Sequence, residues 1–159
     1  MSAGVPSASV PAPDDVETVE RVIAAPPEKI FDLLADPSRH QDIDGSGSVR
    51  DAKGTRQRLA LGTTFGMDMR YGVPYSMHNT VVEFEENRCI AWQTRGPGKL
   101  PFGGRIWRYE LEPVEGGTRV RESWDISHEN TKVVARAGRK KTRKNMEQTL
   151  ARIERLVAP

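Results

Sequence analysis

The stretch Trp107-Arg108-Tyr109-Glu110-Leu111-Glu112-Pro113-Val114-Glu115-Gly116-Gly117-Thr118-Arg119-Val120-Arg121-Glu122-Ser123-Trp124 decides the fold. It reads as two period-two strands joined by an acidic, glycine-rich turn. Trp107, Tyr109 and Leu111 share one face of the first strand, and Val120, Trp124 and Ile126 share one face of the second. A hairpin register with Pro113 opposite Thr118 pairs Leu111 with Val120, Tyr109 with Glu122 and Trp107 with Trp124. A slip of one residue would turn one strand inside out. Glu122 therefore falls on the apolar face, close to the Tyr109 hydroxyl. A buried carboxylate must find partners or take up a proton. Two readings stay open: Glu122 is locked by Tyr109 or Arg105, or it orients a polar ligand group and moves protons.

The rest of the chain supplies more strands and few helices. Val16 to Ile23 is rich in β-branched residues and predicts a first strand. Pro26-Pro27-Glu28 opens a helix whose apolar stripe is Ile30, Phe31, Leu33 and Leu34, and Asp36-Pro37 stops it. A second short helix follows over Ser38 to Asp42. Val49 to Arg50 and Arg58 to Leu61 read as short strand material. The alternation over 64–71 puts Phe65, Met67, Met69 and Tyr71 on one face, and Gly72-Val73-Pro74-Tyr75 reads as a turn. In the strand from Met77 to Glu85, Val82 and Phe84 predict that the even-numbered face points inward, carrying His78 with it; Val81 fits the opposite phase. Arg88 to Thr94 returns with Trp92 and Ile90. The final helix is marked by Met146, Leu150, Ile153 and Val157 at i, i+4, i+7 and i+11.

Strands grouped apart from helices predict an α+β domain over 16–157, with 1–15 as a flexible tail. Six to seven antiparallel strands twist, and only the C-terminal helix is long enough to cover their apolar face. A curved sheet gripping one helix leaves space that side chains do not fill.

Composition narrows the function classes. Of 159 residues, 36% are hydrophobic and 29% charged, and mean hydropathy is −0.60. No apolar run approaches the ~18 residues of a membrane helix. The start lacks the basic and apolar regions of a secretory signal. Cys89 is alone, which excludes a disulfide framework and fits a reducing cytoplasm; it reads as a small buried hydrophobe. His40-x-Asp42-x-Asp44 lacks a second histidine at ligand spacing and the glutamate of a calcium loop, so no metal or cofactor is expected there; it reads as a capping turn at a cavity mouth. Seven bases fall within 132–144, namely Lys132, Arg136, Arg139, Lys140, Lys141, Arg143 and Lys144. They read first as a solvated helix face, and second as an interaction surface for an acidic partner or anionic lipid. Without interleaved aromatics, nucleic acid is not the expected partner.

The order and spacing of Ile23 to Pro37, Val81 to Trp92, Trp107 to Trp124 and Met146 to Leu150 resemble the START/Bet v 1-like (SRPBCC) helix-grip superfamily. The similarity is to its bacterial polyketide cyclase/dehydrase and lipid-transport group, and it spans about residues 16 to 157. It implies a helix-grip fold and a cavity between sheet and C-terminal helix for a small apolar or aromatic molecule, lipid- or polyketide-like. The expected lining is Met67, Met69, Tyr71, His78, Trp92, Arg105, Trp107, Tyr109, Glu122, Trp124, Met146 and Leu150. An enzyme of the cyclase/dehydratase kind is the alternative, with Glu122, Tyr109 and His78 as candidate proton carriers.

Overall fold

The computed structural model describes residues 15–46, 49–53, 57–71, 73–96 and 103–159, the side chains of 49–53, 67–71 and 73–76 excepted. Strand β1 (Val16–Ile23) leads into helix α1 (Pro27–Leu34), a 3-10 turn at Pro37–Arg39 and the short helix α2 (His40–Ile43). Six strands follow: β2 (Val49–Lys53), β3 (Thr64–Tyr71), β4 (Val73–Glu85), β5 (Cys89–Arg95), β6 (Gly103–Val114) and β7 (Gly117–Asp125). Helix α3 (Lys132–Ala137) and the long α4 (Arg139–Val157) close the chain. All seven strands join one antiparallel sheet in the order β1-β7-β6-β5-β4-β3-β2.

The predicted hairpin register holds at every named pair, from Pro113 opposite Thr118 to Trp107 opposite Trp124. At the turn, Gly117 has φ +151°, and a Cβ there would meet the Ile23 carbonyl oxygen at 2.0 Å. Only glycine lets the hairpin come this close to the end of β1. α1 keeps proline in its first turn and buries Ile30, Phe31, Leu33 and Leu34. α4 buries Met146, Leu150 and Ile153 against β1, β7 and the two short helices, so the core lies between helix and sheet.

Three expectations about elements change. Arg58 to Leu61 is not a strand; Leu59 is buried and its N–H bonds the Ala35 carbonyl, which docks the segment on the end of α1. The turn read at 72–75 is strand from Val73 onward, where β4 begins, and Gly72 lies outside the described residues. The inward face of β4 is odd-numbered over 77–81: Met77, Asn79 and Val81 are buried, whereas Val82 and His78 are exposed. The cause is a bulge. Val81 pairs with Trp92 and Glu83 with Ala91, so Val82 is an extra residue that reverses the phase before Phe84 packs inward.

The basic run has a structural use. Lys132 and Arg136 of α3 pair with Asp15, and Arg139 and Arg143 of α4 pair with Glu17. Carboxylates at Glu17 of β1 and at Asp15 just before it thus hold both helices to the sheet. The guanidinium groups lower the pKa of Glu17 against the opposing effect of its burial, so this stabilisation is present above the ordinary glutamate range and lost as pH falls below it. Substituting Glu17 with glutamine is expected to cost about 1 kcal/mol, less at high salt, in urea denaturation at two ionic strengths. An equal loss at both would place the effect in packing.

Candidate functional site

β6 and β7 present Tyr109 and Glu122 to the interior from directly opposed positions. The Tyr109 hydroxyl donates to Glu122 Oε1 at 2.8 Å. Glu122 is 2% exposed, and its second oxygen, Oε2, has no hydrogen-bond partner. Burial pushes its carboxyl up to about 8; the bond from Tyr109 works against that rise and the nearby Asp44 carboxylate adds to it. The Tyr109 phenol is itself raised well above its usual value by burial and by Glu122. Near neutral pH the group is then largely a carboxylic acid, able to donate a proton from Oε2.

Two residues further along the same face of β7, Trp124 is 2% exposed and its indole Nε1 also lacks an acceptor. These are the two side-chain nitrogen or oxygen atoms found buried without a partner among the described residues. Buried polar groups are nearly always bonded, so each orphan calls for an explanation. Here one strand carries both, and both are donors near neutral pH.

An aromatic wall surrounds them. Trp92 lies 5.5 Å from Tyr109, Phe65 packs edge-on to Trp92 at 5.7 Å, and Trp107 lies 6.4 Å from Trp124, all between ring centroids. His40 stacks on Trp92 at 5.0 Å, and its Nε2 lies 2.8 Å from the Leu34 carbonyl oxygen. Burial lowers the His40 pKa. The ring is therefore neutral at pH 7, with its Nε2 hydrogen on the carbonyl. The helix end and capping turn expected over His40 to Asp44 is present: α2 opens at His40 and is capped by Asp44, whose carboxylate accepts from the Ser46 hydroxyl at 2.6 Å. The loop after α2 is fixed to α4: Gly45 N–H bonds Thr149 Oγ1 at 2.9 Å and Arg152 bonds the Asp44 carbonyl at 2.6 Å. A Cβ on Gly45 would lie 2.1 Å from the Asn145 carbonyl oxygen. This close approach sets Asp44 where its charge reaches both Tyr109 and Glu122.

The structure brings together Trp92, Trp107, Tyr109, Glu122, Trp124, Met146 and Leu150 in one core. Met67, Met69 and Tyr71 lie on β3, but their side chains fall outside the described residues. Two expected site residues lie elsewhere. His78 is exposed on the far side of the bulge described above. Arg105, although in phase with Tyr109, bonds the fully buried Glu129 carboxylate at 3.1 Å and not Glu122. Glu129 also accepts from the Gly103 N–H, so this pair fastens the β7–α3 loop to the start of β6. Beyond the bulge, Thr94 donates to Asn79 at 2.7 Å inside the sheet, a buried polar pair the even-face reading had missed. Cys89 is half-buried and its thiol is pushed up to about 12 by burial and by Glu83, so it is not a nucleophile at neutral pH.

Residues 16–158 match the family described as polyketide cyclase / dehydrase and lipid transport. The chain belongs to that family. Among curated relatives it is 35% identical over 105 residues to the uncharacterized protein Rv0088 of Mycobacterium tuberculosis strain H37Rv. It is 34% identical over the same length to the uncharacterized protein MT0096 of strain CDC 1551. The match takes in 65% of this chain but spans 44% of each relative. Protein CV1439 from Chromobacterium violaceum shares the fold with a TM-score of 0.71 at 17% identity, over 91% of this chain and 98% of that one. DynU16, a protein of the dynemicin biosynthetic locus, gives 0.66 at 14% identity, over 90% of this chain and 47% of its own. These likenesses agree with the α+β helix-grip architecture. No helix among the described residues of this family member is long and apolar enough to cross a membrane.

Proposed function

We propose that the chain binds a small apolar or aromatic molecule between the sheet and α4, and that the molecule presents an acceptor oxygen to Glu122 and Trp124. The observation that carries this reading is the pair of orphaned atoms, Glu122 Oε2 and Trp124 Nε1, buried on one face of β7 within the aromatic wall. A ketone, ester or acid carbonyl on an apolar skeleton satisfies two donors at once. The apolar remainder would gain roughly 25 cal/mol for each Å² removed from water. The family description, which names both cyclase/dehydrase and lipid transport, is compatible with such a ligand.

Native mass spectrometry of protein purified from its own cell tests this. Wild type is expected to carry a co-purifying mass, and Trp124→Phe, which removes one donor and keeps the ring, is expected to retain it about tenfold less well. Equal retention, or no bound mass in either, would leave the orphaned atoms to an internal water and sink the reading.

A catalytic version rests on one further observation. A carboxyl that titrates at about 8 and touches a phenol is suited to proton transfer near neutral pH. In that case Glu122→Gln keeps ligand affinity but abolishes turnover of a poly-β-ketone substrate; affinity and turnover lost together would favour binding alone.

A further inference from the structure

We propose that the outward face of α3 and the first turns of α4 dock on an anionic lipid surface. The two helices are separated only by Gly138 and turn a common side toward β1, because Lys132, Arg136, Arg139 and Arg143 all reach Asp15 or Glu17. Positions 133, 134, 137, 140 and 144 lie off that side, rotated by about 100° to 200° around the helix from the bases that reach the edge, and all five are exposed.

What this outward face carries is unusual for solvent. Val133 is 79% and Val134 69% exposed, and they head the exposed large hydrophobic side chains of the described residues. Ala137 continues the apolar line, and Lys140 and Lys144 follow it, neither with an ion pair among the described residues. No acid lies between Asn130 and Met146. The seven bases of 132–144 outnumber the three carboxylates, Asp15, Glu17 and Glu147, that pair with four of them, so the segment keeps a positive excess.

Branched aliphatic side chains beside flexible ammonium groups suit a headgroup layer. The valines enter the acyl boundary while each lysine stem lies along apolar surface and sets its charge at phosphate level. A nucleic acid would use the lysines but has no use for the valines, and the face has no aromatic ring on which a base can stack. The valines therefore favour lipid over other polyanions.

Flotation of the full chain with vesicles tests this. Binding to phosphatidylglycerol-containing vesicles is expected, with little to pure phosphatidylcholine and a marked fall at high salt. Lys140→Gln with Lys144→Gln should weaken it by about thirtyfold. Val133→Ser with Val134→Ser should weaken it at every salt concentration. All four positions are exposed, so these variants keep the fold, which circular dichroism confirms. No flotation, or equal flotation on both vesicle types, overturns the proposal. Flotation that the valine variant leaves unchanged and soluble heparin abolishes also overturns it, in favour of a polyanion-binding surface.

Discussion

Glu122→Gln is expected to make the protein more stable above neutral pH, by about 3 kcal/mol near pH 8. The sign follows from proton counting. Glu122 titrates at an ordinary 4.5 when unfolded and at about 8 in the folded chain. Below the first value both states hold the proton and nothing is lost. Between them the folded state keeps a proton that the unfolded state has released, so stability falls as pH rises. Above about 8 the loss is complete and amounts to about 5 kcal/mol. Glutamine has no such proton, and its oxygen still accepts from Tyr109. Its amide nitrogen, left unpartnered where Oε2 was, takes back about 2 kcal/mol of the gain. Urea denaturation of both proteins across the range checks this. The wild-type slope should flatten in the variant; parallel slopes, or a variant less stable at pH 8, would mean that the buried carboxyl is not the source.

Trp92→Ala is expected to cost about 4 kcal/mol. Trp92 is 7% exposed and touches three ring systems, His40, Phe65 and Tyr109, so its removal opens a cavity at the meeting point of α2, β3, β5 and β6. The stack on His40 also disappears. Water then reaches the imidazole, and the burial that lowers its pKa is relieved. Equilibrium denaturation gives the stability loss, and the pH titration of the His40 ring protons should move upward toward the usual histidine value. A loss below about 1 kcal/mol would show that the site can collapse around the missing ring.

The hairpin was legible in the sequence because its two strands alternate without interruption and its turn places two glycines together. That was enough to pair Tyr109 with Glu122 and Trp107 with Trp124. β4 was not, because a bulge adds one residue without a sequence mark, and the strand then carries two phases of alternation. Val81 and Val82 fit opposite phases, and the even-face choice went with Val82; only the pairing with Trp92 resolves it. His40 reads in sequence only as part of a capping turn with Asp42 and Asp44; its burial against Trp92 depends on a strand far along the chain. Arg105 was in the right phase for the site, but the carboxylate it meets, Glu129, arrives from a loop whose path the sequence does not state. The basic run was legible as charge, whereas its tie to Asp15 and Glu17 required the antiparallel pairing of β1 with β7 and the packing of α4 beside it.

The central claim is that Glu122 Oε2 and Trp124 Nε1 receive the polar group of a bound apolar molecule. Indole N–H signals in a nitrogen-15 spectrum report on it directly, since the chain holds only three tryptophans and Trp124→Phe assigns the signal of interest. The account predicts that the Trp124 indole proton moves downfield when delipidated protein is exposed to an organic extract of its source cell, and returns when the bound material is removed. A Trp124 signal that stays fixed while the extract binds would contradict it.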